Sequence, residues 1–335
     1  MSLRSPSLRR GLAAAACTIA AAATIVVGTP AAAAPADVSP LAIRQVVSGL
    51  NQAWAIDFLP DGTPLFTERN SAKIRRIEGR TAVDVQRIPG VAVTREGGLL
   101  GLAVSPNYAQ DQTVFIYYTT SRDNRVAKLR LGQSPQPIVT GIPRGRQNHQ
   151  GGRIRFGPDG YLYIGTGDAE NANSAQNRDS LAGKVLRVDT NGAAAPGNPF
   201  GNRVYSYGHR NVQGLAWVGN QLYITDIGPS DVDELNRIEA GRNYGWPRCS
   251  GPCNIAGMTN PVKSWPTSYA TPSGMAYYRG MLYIASLKGG TIKVDTSGNG
   301  GKIYTAQGRT RDEVAGPDGQ LWVVTPSAIY AADGT

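Results

Sequence analysis

Residues 151–168 read GGRIRFGPDGYLYIGTGD, and this stretch decides the fold. A strand of small and apolar residues runs into Pro-Asp-Gly, and a second strand rich in Tyr and Ile runs out of it. Pro presets φ for entry into a tight turn and Gly accepts the positive φ that such turns need, so the stretch is a β-hairpin. The pattern recurs at residues 53–69 (AWAIDFLPDGTPLFTER), 99–119 (LLGLAVSPNYAQDQTVFIYYT), 212–228 (VQGLAWVGNQLYITDIG), 273–288 (SGMAYYRGMLYIASLK) and 311–325 (RDEVAGPDGQLWVVT). Successive starts lie about 52 residues apart, the length of a propeller blade with loop insertions. One hairpin cannot bury its faces alone, whereas radial repetition buries them and shelters the strand edges. Six copies in one chain therefore predict an all-β, six-bladed β-propeller forming a single domain over residues 36–335, in preference to a β-sandwich.

The first residues read differently. Arg4, Arg9 and Arg10 precede an apolar Ala/Ile/Val/Thr run that ends in small residues near 29–34. This is the grammar of a secretory signal peptide, assigned to residues 1–35 with an approximate cleavage point. The run is marginal for a membrane span and no second one follows, so stable membrane insertion is not expected; an uncleaved, anchored form is the rival. Export to an oxidising compartment suits a disulfide between Cys249 and Cys253. A metal site is the alternative for that pair, but zinc wants more ligands and the only histidines are His149 and His209.

The formal charge is +10, and removing the three leader arginines leaves +7. These basic residues are scattered, without a run or aromatic interleaving, which argues against a nucleic-acid partner. Gly165-Thr166-Gly167 lacks the third glycine and the helix of a dinucleotide fingerprint. No phosphate-binding loop, serine nucleophile elbow or HExxH motif is found.

Ligands of a propeller sit at the mouth of its central channel, on loops flanking the repeated strands. His149 precedes the third hairpin in Gln147-Asn148-His149-Gln150, among polar neighbours, and an imidazole can take a proton near neutral pH. Asp168 ends the same hairpin, from where a carboxylate can return to orient the ring. Arg210, Lys288, Arg309 and Arg311 occupy comparable loop positions; they are either solvated surface charge or a pocket for a polyanion gripped by guanidinium groups. The segments 226–234 and 241–247 mix carboxylates with turn carbonyls, which suits Ca²⁺, although an acidic turn without metal reads equally well.

Taken in order, the blocks EGGLLGLAVSP, NHQGGRIRFGPDG, GKVLRVD with GNPF, YGHRNVQGLA, GPSDVDELN, GRNYGWP, SGMAYY, SLKGG and RTRDEVAGPDG resemble the soluble quinoprotein glucose and aldose sugar dehydrogenases, the glucose/sorbosone dehydrogenase family, from about Val47 to Thr325. The resemblance implies pyrroloquinoline quinone and Ca²⁺ as cofactors and an aldose as substrate, with an unnamed electron acceptor and a monomer or homodimer as the assembly. It makes His149 the general base, Asp168 the carboxylate beside it, and Arg210 the cation at the quinone's reactive carbonyl. Asn211, Gln213, Thr267, Lys288, Arg309 and Arg311 match further cofactor contacts. Gly228 and Pro229 match backbone ligands of the Ca²⁺ at the quinone, and Glu234 with the Tyr244 carbonyl matches a further, structural Ca²⁺ site. Glu96, Asn148, Asn173 and Trp265 fall where the sugar is read. The family commonly has Gln in place of Glu96, a departure that bears on substrate choice and on the base. A Ca²⁺-dependent lactonase-type hydrolase and a non-catalytic sugar-binding propeller are the competing expectations.

Overall fold

The structure, a computed structural model, describes residues 42–303 and 308–332. Its strands form six four-stranded antiparallel sheets. Five are continuous in sequence, spanning 53–87, 99–142, 151–207, 212–266 and 272–303. The sixth combines three strands of 312–332 with Ile43–Ser48, which pairs with Ala328–Ala332 and so locks one end of the chain onto the other. The six-bladed propeller is thus formed, and each of the six hairpins supplies the inner pair of its blade.

Small residues on the innermost strands are a packing requirement. A Cβ on Gly101 would stand 2.3 Å from the Gly152 carbonyl oxygen, and one on Gly214 would stand 2.3 Å from that of Ser273. Neighbouring inner strands therefore approach backbone to backbone at the axis. Threonines on the second strands bridge the blades: Thr67 donates to the Leu100 carbonyl at 2.6 Å and Thr225 to the Ser273 carbonyl at 2.7 Å. Outside this ring, alternate residues pack in apolar layers that run between blades, the largest joining Trp54, Leu65, Leu100, Phe115, Ile154 and Leu186. Each fully buried aliphatic side chain contributes about 1.5–3 kcal/mol.

The axis itself is plugged by ions. Arg153 is buried; its guanidinium meets Asp312 Oδ2 at 2.6 Å, donates to the Gln213 carbonyl at 2.8 Å and lies 4.1 Å from the centre of the Trp54 ring. Arg155 reaches the same Asp312 oxygen at 3.1 Å. Inner strands of four blades are so tied at one point. Burial pulls the Arg153 guanidinium down to about 10, against the opposing pull of Asp312.

Cys249 and Cys253 are joined by a disulfide, with Cα atoms 5.9 Å apart. Among the described residues no helix is long and apolar enough to cross a membrane. The signal-peptide assignment for residues 1–35 lies outside the described residues.

Candidate functional site

The loop ends of the inner strands surround a cavity of about 460 Å³ at the channel mouth. Five of its lining residues are cations: Arg69, Arg95, Lys288, Arg309 and Arg311. Glu96 is the one carboxylate among the described lining residues. Arg311 is buried and donates to Gln213 Oε1 at 2.9 Å. Burial, then repulsion from Arg309 and Arg69, lowers its guanidinium to about 9. Burial lowers Arg69 as well, with a contribution from Arg309, while Glu96 pulls the other way. None of the five makes an ion pair among the described residues. Such a group of mutually repelling cations is a receptor for an anion with several charges.

Beside this cavity lies a histidine–aspartate pair. The His149 ring meets Asp168 Oδ1 through Nδ1 at 2.7 Å, and the aspartate is buried. An ionised carboxylate only accepts, so Nδ1 is the donor, and in the neutral ring the lone pair is then on Nε2. Asp168 is fully engaged: Oδ2 accepts the Trp246 indole N–H at 2.8 Å and Oδ1 accepts the Glu170 N–H at 2.9 Å. His149 itself sits at φ 55°, a left-handed conformation that the surrounding bonds must hold. Glu96 Oε2 accepts the His149 N–H at 2.8 Å and the Asn211 side chain at 3.2 Å. Glu170 accepts the Gln147 and Asn148 N–H groups, each at 3.1 Å. Glu96 thereby joins the pair to the cationic cavity.

Arg210 leaves the same region toward a turn of blade four. Its guanidinium donates to the carbonyls of Ile227 at 3.0 Å and Gly228 at 2.6 Å, lies 5.4 Å from the Trp246 ring centre, and keeps a buried Nε without a partner. Carbonyl oxygens that gather round one cation are chemically apt for another. A side chain at Gly228 would collide with the Val232 carbonyl, so the turn admits only glycine. Asp233 braces it, accepting from Gly228 N at 3.1 Å and from Thr271 N at 2.7 Å, and burial raises its carboxyl to about 6. Glu234 is also buried, accepting from Gly251 N at 2.6 Å and Asn236 at 2.9 Å; burial, with Asp226 and then Asp233 nearby, pushes it up to about 7. Among the described residues no three His, Cys, Asp or Glu side chains form a metal-binding group. A hard cation here would rest on Glu234 and backbone oxygens, which is chemistry that Ca²⁺ accepts.

The structure brings together Glu96, Gln213, Lys288, Arg309 and Arg311 at the cavity, with His149 and Asn211 linked to it through Glu96, Asp168 through His149, and Arg210 through the Ile227 carbonyl. Four expected residues do not line the cavity. Trp265 is 5 % exposed and packs in the core against Tyr223, Leu235, Met275 and Leu282, because the alternation of its outer strand turns it inward. Thr267 donates to the Ser230 carbonyl, and its own carbonyl holds the hydroxyl of Thr271, which lines the cavity in its place. Asn148 is tied to Glu170 and Asn173 is exposed on the 3-10 turn Ala172–Gln176; neither lines the cavity. Pro229 lies within the acidic turn of residues 226–234, and the Tyr244 ring is stacked on His209 at 4.9 Å. Sequence reading missed Arg69, Arg95, Trp246, Glu170 and Thr271. Only Trp246 carried a signal, in the GRNYGWP block.

The family model for glucose/sorbosone dehydrogenases matches residues 50–330. The chain belongs to this family. Among curated relatives of this dehydrogenase-family chain, the aldose sugar dehydrogenase YliI of Escherichia coli strain K12 is 31 % identical, the alignment covering 88 % of this chain and 91 % of that protein. Among solved structures, the pyrroloquinoline-quinone-bound aldose sugar dehydrogenase of Streptomyces coelicolor is 39 % identical with a TM-score of 0.83, covering 89 % of this chain and 99 % of the other. A putative oxidoreductase (glucose dehydrogenase) of Thermus thermophilus is 36 % identical with a TM-score of 0.81, over 87 % and 99 %.

Proposed function

We propose that the protein is a secreted quinoprotein oxidoreductase that oxidises the C1 hydroxyl of an aldose to the lactone. The observation that carries this reading is the connection, through Glu96, of a cavity lined by five cations to the His149–Asp168 pair. The quinone-bound Streptomyces neighbour names the polyanion such a cavity would take. When bound, pyrroloquinoline quinone supplies a two-electron acceptor for the hydride that leaves C1 of the sugar.

Lys288, Arg309 and Arg311 would hold its carboxylates, with Gln213 fixed against Arg311 at 2.9 Å and Asn211 alongside. His149 takes the C1 hydroxyl proton at Nε2, and Asp168 stabilises the imidazolium that results. Arg210 supports negative charge developing on the acceptor side of the transfer. The carbonyls of Gly228 and Pro229 would hold Ca²⁺ at the cofactor, and Glu234 with the Tyr244 carbonyl a further one. Protein groups position, neutralise and accept a proton; the redox chemistry is the cofactor's.

A lactonase-type hydrolase needs several axial carboxylates around its metal, and the lining here has only Glu96 among the described residues. The test is reconstitution with quinone and Ca²⁺, followed by a panel of aldoses and an artificial dye. Sugar-dependent dye reduction that requires the quinone supports the proposal. Lactone hydrolysis with Ca²⁺ alone, or failure to bind the quinone at micromolar concentration, would replace it by the hydrolase or the binding propeller.

A further inference from the structure

We propose that the sugar itself is anionic, a hexuronate whose carboxylate is held by Arg69 and Arg95 at the rim of the cavity; this rests on the dehydrogenase reading above. Lys288, Arg309 and Arg311 have a role there as counter-ions of the quinone's three carboxylates. Arg69 and Arg95 line the same cavity and are absorbed by no such role. Glu96 is a single carboxylate set against five cations; it makes no ion pair with either arginine among the described residues, and its Oε2 is held by the His149 N–H and the Asn211 amide, so it offsets at most one of these charges.

Both arginines are built into the wall that carries the base. Arg95 N donates to Gln147 Oε1 at 3.3 Å, and Glu96 N donates to the Gln147 carbonyl at 3.0 Å. The Arg69 carbonyl accepts Leu99 N at 3.2 Å, and its Nε is turned onto Asn70 at 3.1 Å. Segments 69–70, 95–99 and 147–149 are thus hydrogen-bonded into one side of the mouth. Neither guanidinium has an ion-pair partner among the described residues, and Arg69 is half buried. With quinone and Ca²⁺ in place, a neutral hexose would leave these two charges uncompensated. A carboxylate at C6, carried on C5 across the ring oxygen from C1 and on the same side of the sugar as the reacting carbon, would compensate them with bidentate geometry.

The reaction is unchanged in its balance. The C1–H bond breaks with its electron pair passing to the quinone, the C1 hydroxyl proton passes to His149, and the C1–O bond becomes the lactone carbonyl. The C6 carboxylate takes no part in the bond changes, so its effect falls on binding and on kcat/KM.

The experiment compares D-glucuronate with D-glucuronamide, its neutral isostere, on quinone- and Ca²⁺-loaded protein, by dye reduction and by calorimetric binding. The expected kcat/KM for the uronate is about tenfold higher, equivalent to about 1.4 kcal/mol, and the preference shrinks in high salt. In R69Q/R95Q the uronate-to-amide ratio falls to about one, while the visible spectrum still shows one quinone per chain. Equal kcat/KM and equal affinity for the two sugars would overturn the proposal. So would loss of the quinone from R69Q/R95Q, which would make these arginines cofactor ligands instead. Should no sugar be oxidised, uronate-selective binding abolished in R69Q/R95Q upholds the anion site while the dehydrogenase reading fails; unselective binding overturns the site too.

Discussion

Asp168 faces His149 Nδ1 with one carboxylate oxygen at 2.7 Å and the indole nitrogen of Trp246 with the other at 2.8 Å. The imidazole is thereby fixed in one tautomer, and the carboxylate that fixes it is itself fixed. Trp246 also lies 5.4 Å from the Arg210 guanidinium, so one indole supports both the proposed base and the proposed electrostatic partner. Trp246→Phe keeps the ring but leaves Asp168 Oδ2 without its donor. A lost hydrogen bond to a charged group costs about 1.5–3 kcal/mol. The expected outcome is a fall in kcat of about tenfold or more with quinone affinity nearly unchanged, read by steady-state kinetics and spectral titration.

His149→Gln retains a polar side chain on the loop but not a basic nitrogen. General-base catalysis contributes about 10²–10⁴-fold. Turnover is expected to fall by that factor, while quinone still binds, as judged by its absorption in the loaded protein. Retained turnover removes His149 from the base role.

The plug at the axis is a stability element. Arg153 and Asp312 are both buried and meet at 2.6 Å, and Arg155 shares the same aspartate. Removing one partner of such a buried pair costs about 3–5 kcal/mol because the other charge stays behind. Asp312→Asn and Arg153→Met are each expected to lower the unfolding free energy by that amount, read as a lower urea midpoint. The double variant is expected to lose less than the sum of the two.

Glu313 yields a pH prediction. It is buried, accepts a hydrogen bond from Thr291 with one oxygen and leaves Oε2 unpartnered. Burial raises its carboxyl from 4.5 to about 8. A carboxyl whose folded value lies above its unfolded value favours the folded state fully below the unfolded value, and that stability is lost as pH rises through the folded one. The contribution therefore declines between pH 4.5 and 8, at about 1.4 kcal/mol per pH unit in mid-range. Glu313→Gln is expected to flatten this part of the stability–pH curve, measured by urea unfolding at stepped pH. An unchanged slope would mean that Glu313 does not titrate in that range.

Much of the fold was legible because the inner hairpins carry two strong signals at once, small residues for the axis and turn residues between strands. Outer strands such as Lys73–Glu78 and Thr81–Arg87 are half exposed and polar, so they lack that contrast. The closing pair Ile43–Ser48 with Ala328–Ala332 joins opposite ends of the chain and leaves no local trace. His149 stood out as one of two histidines placed just before a repeated strand, and the cations by their repeated loop position. Arg69 and Arg95 carry no distinguishing signal in the sequence, because only the closed ring turns their loops toward one cavity. Trp265 lies near the site in sequence, while strand alternation packs its side chain in the core. Thr267 and Thr271 are four residues apart in one loop, and only the fold distinguishes which lines the cavity.

The most direct test is sugar-dependent dye reduction by the protein loaded with pyrroloquinoline quinone and Ca²⁺, run beside the unloaded protein and beside loaded His149→Gln. The account predicts turnover in the loaded wild type alone. Turnover without quinone, or none from the loaded wild type across neutral and acidic aldoses, would contradict it.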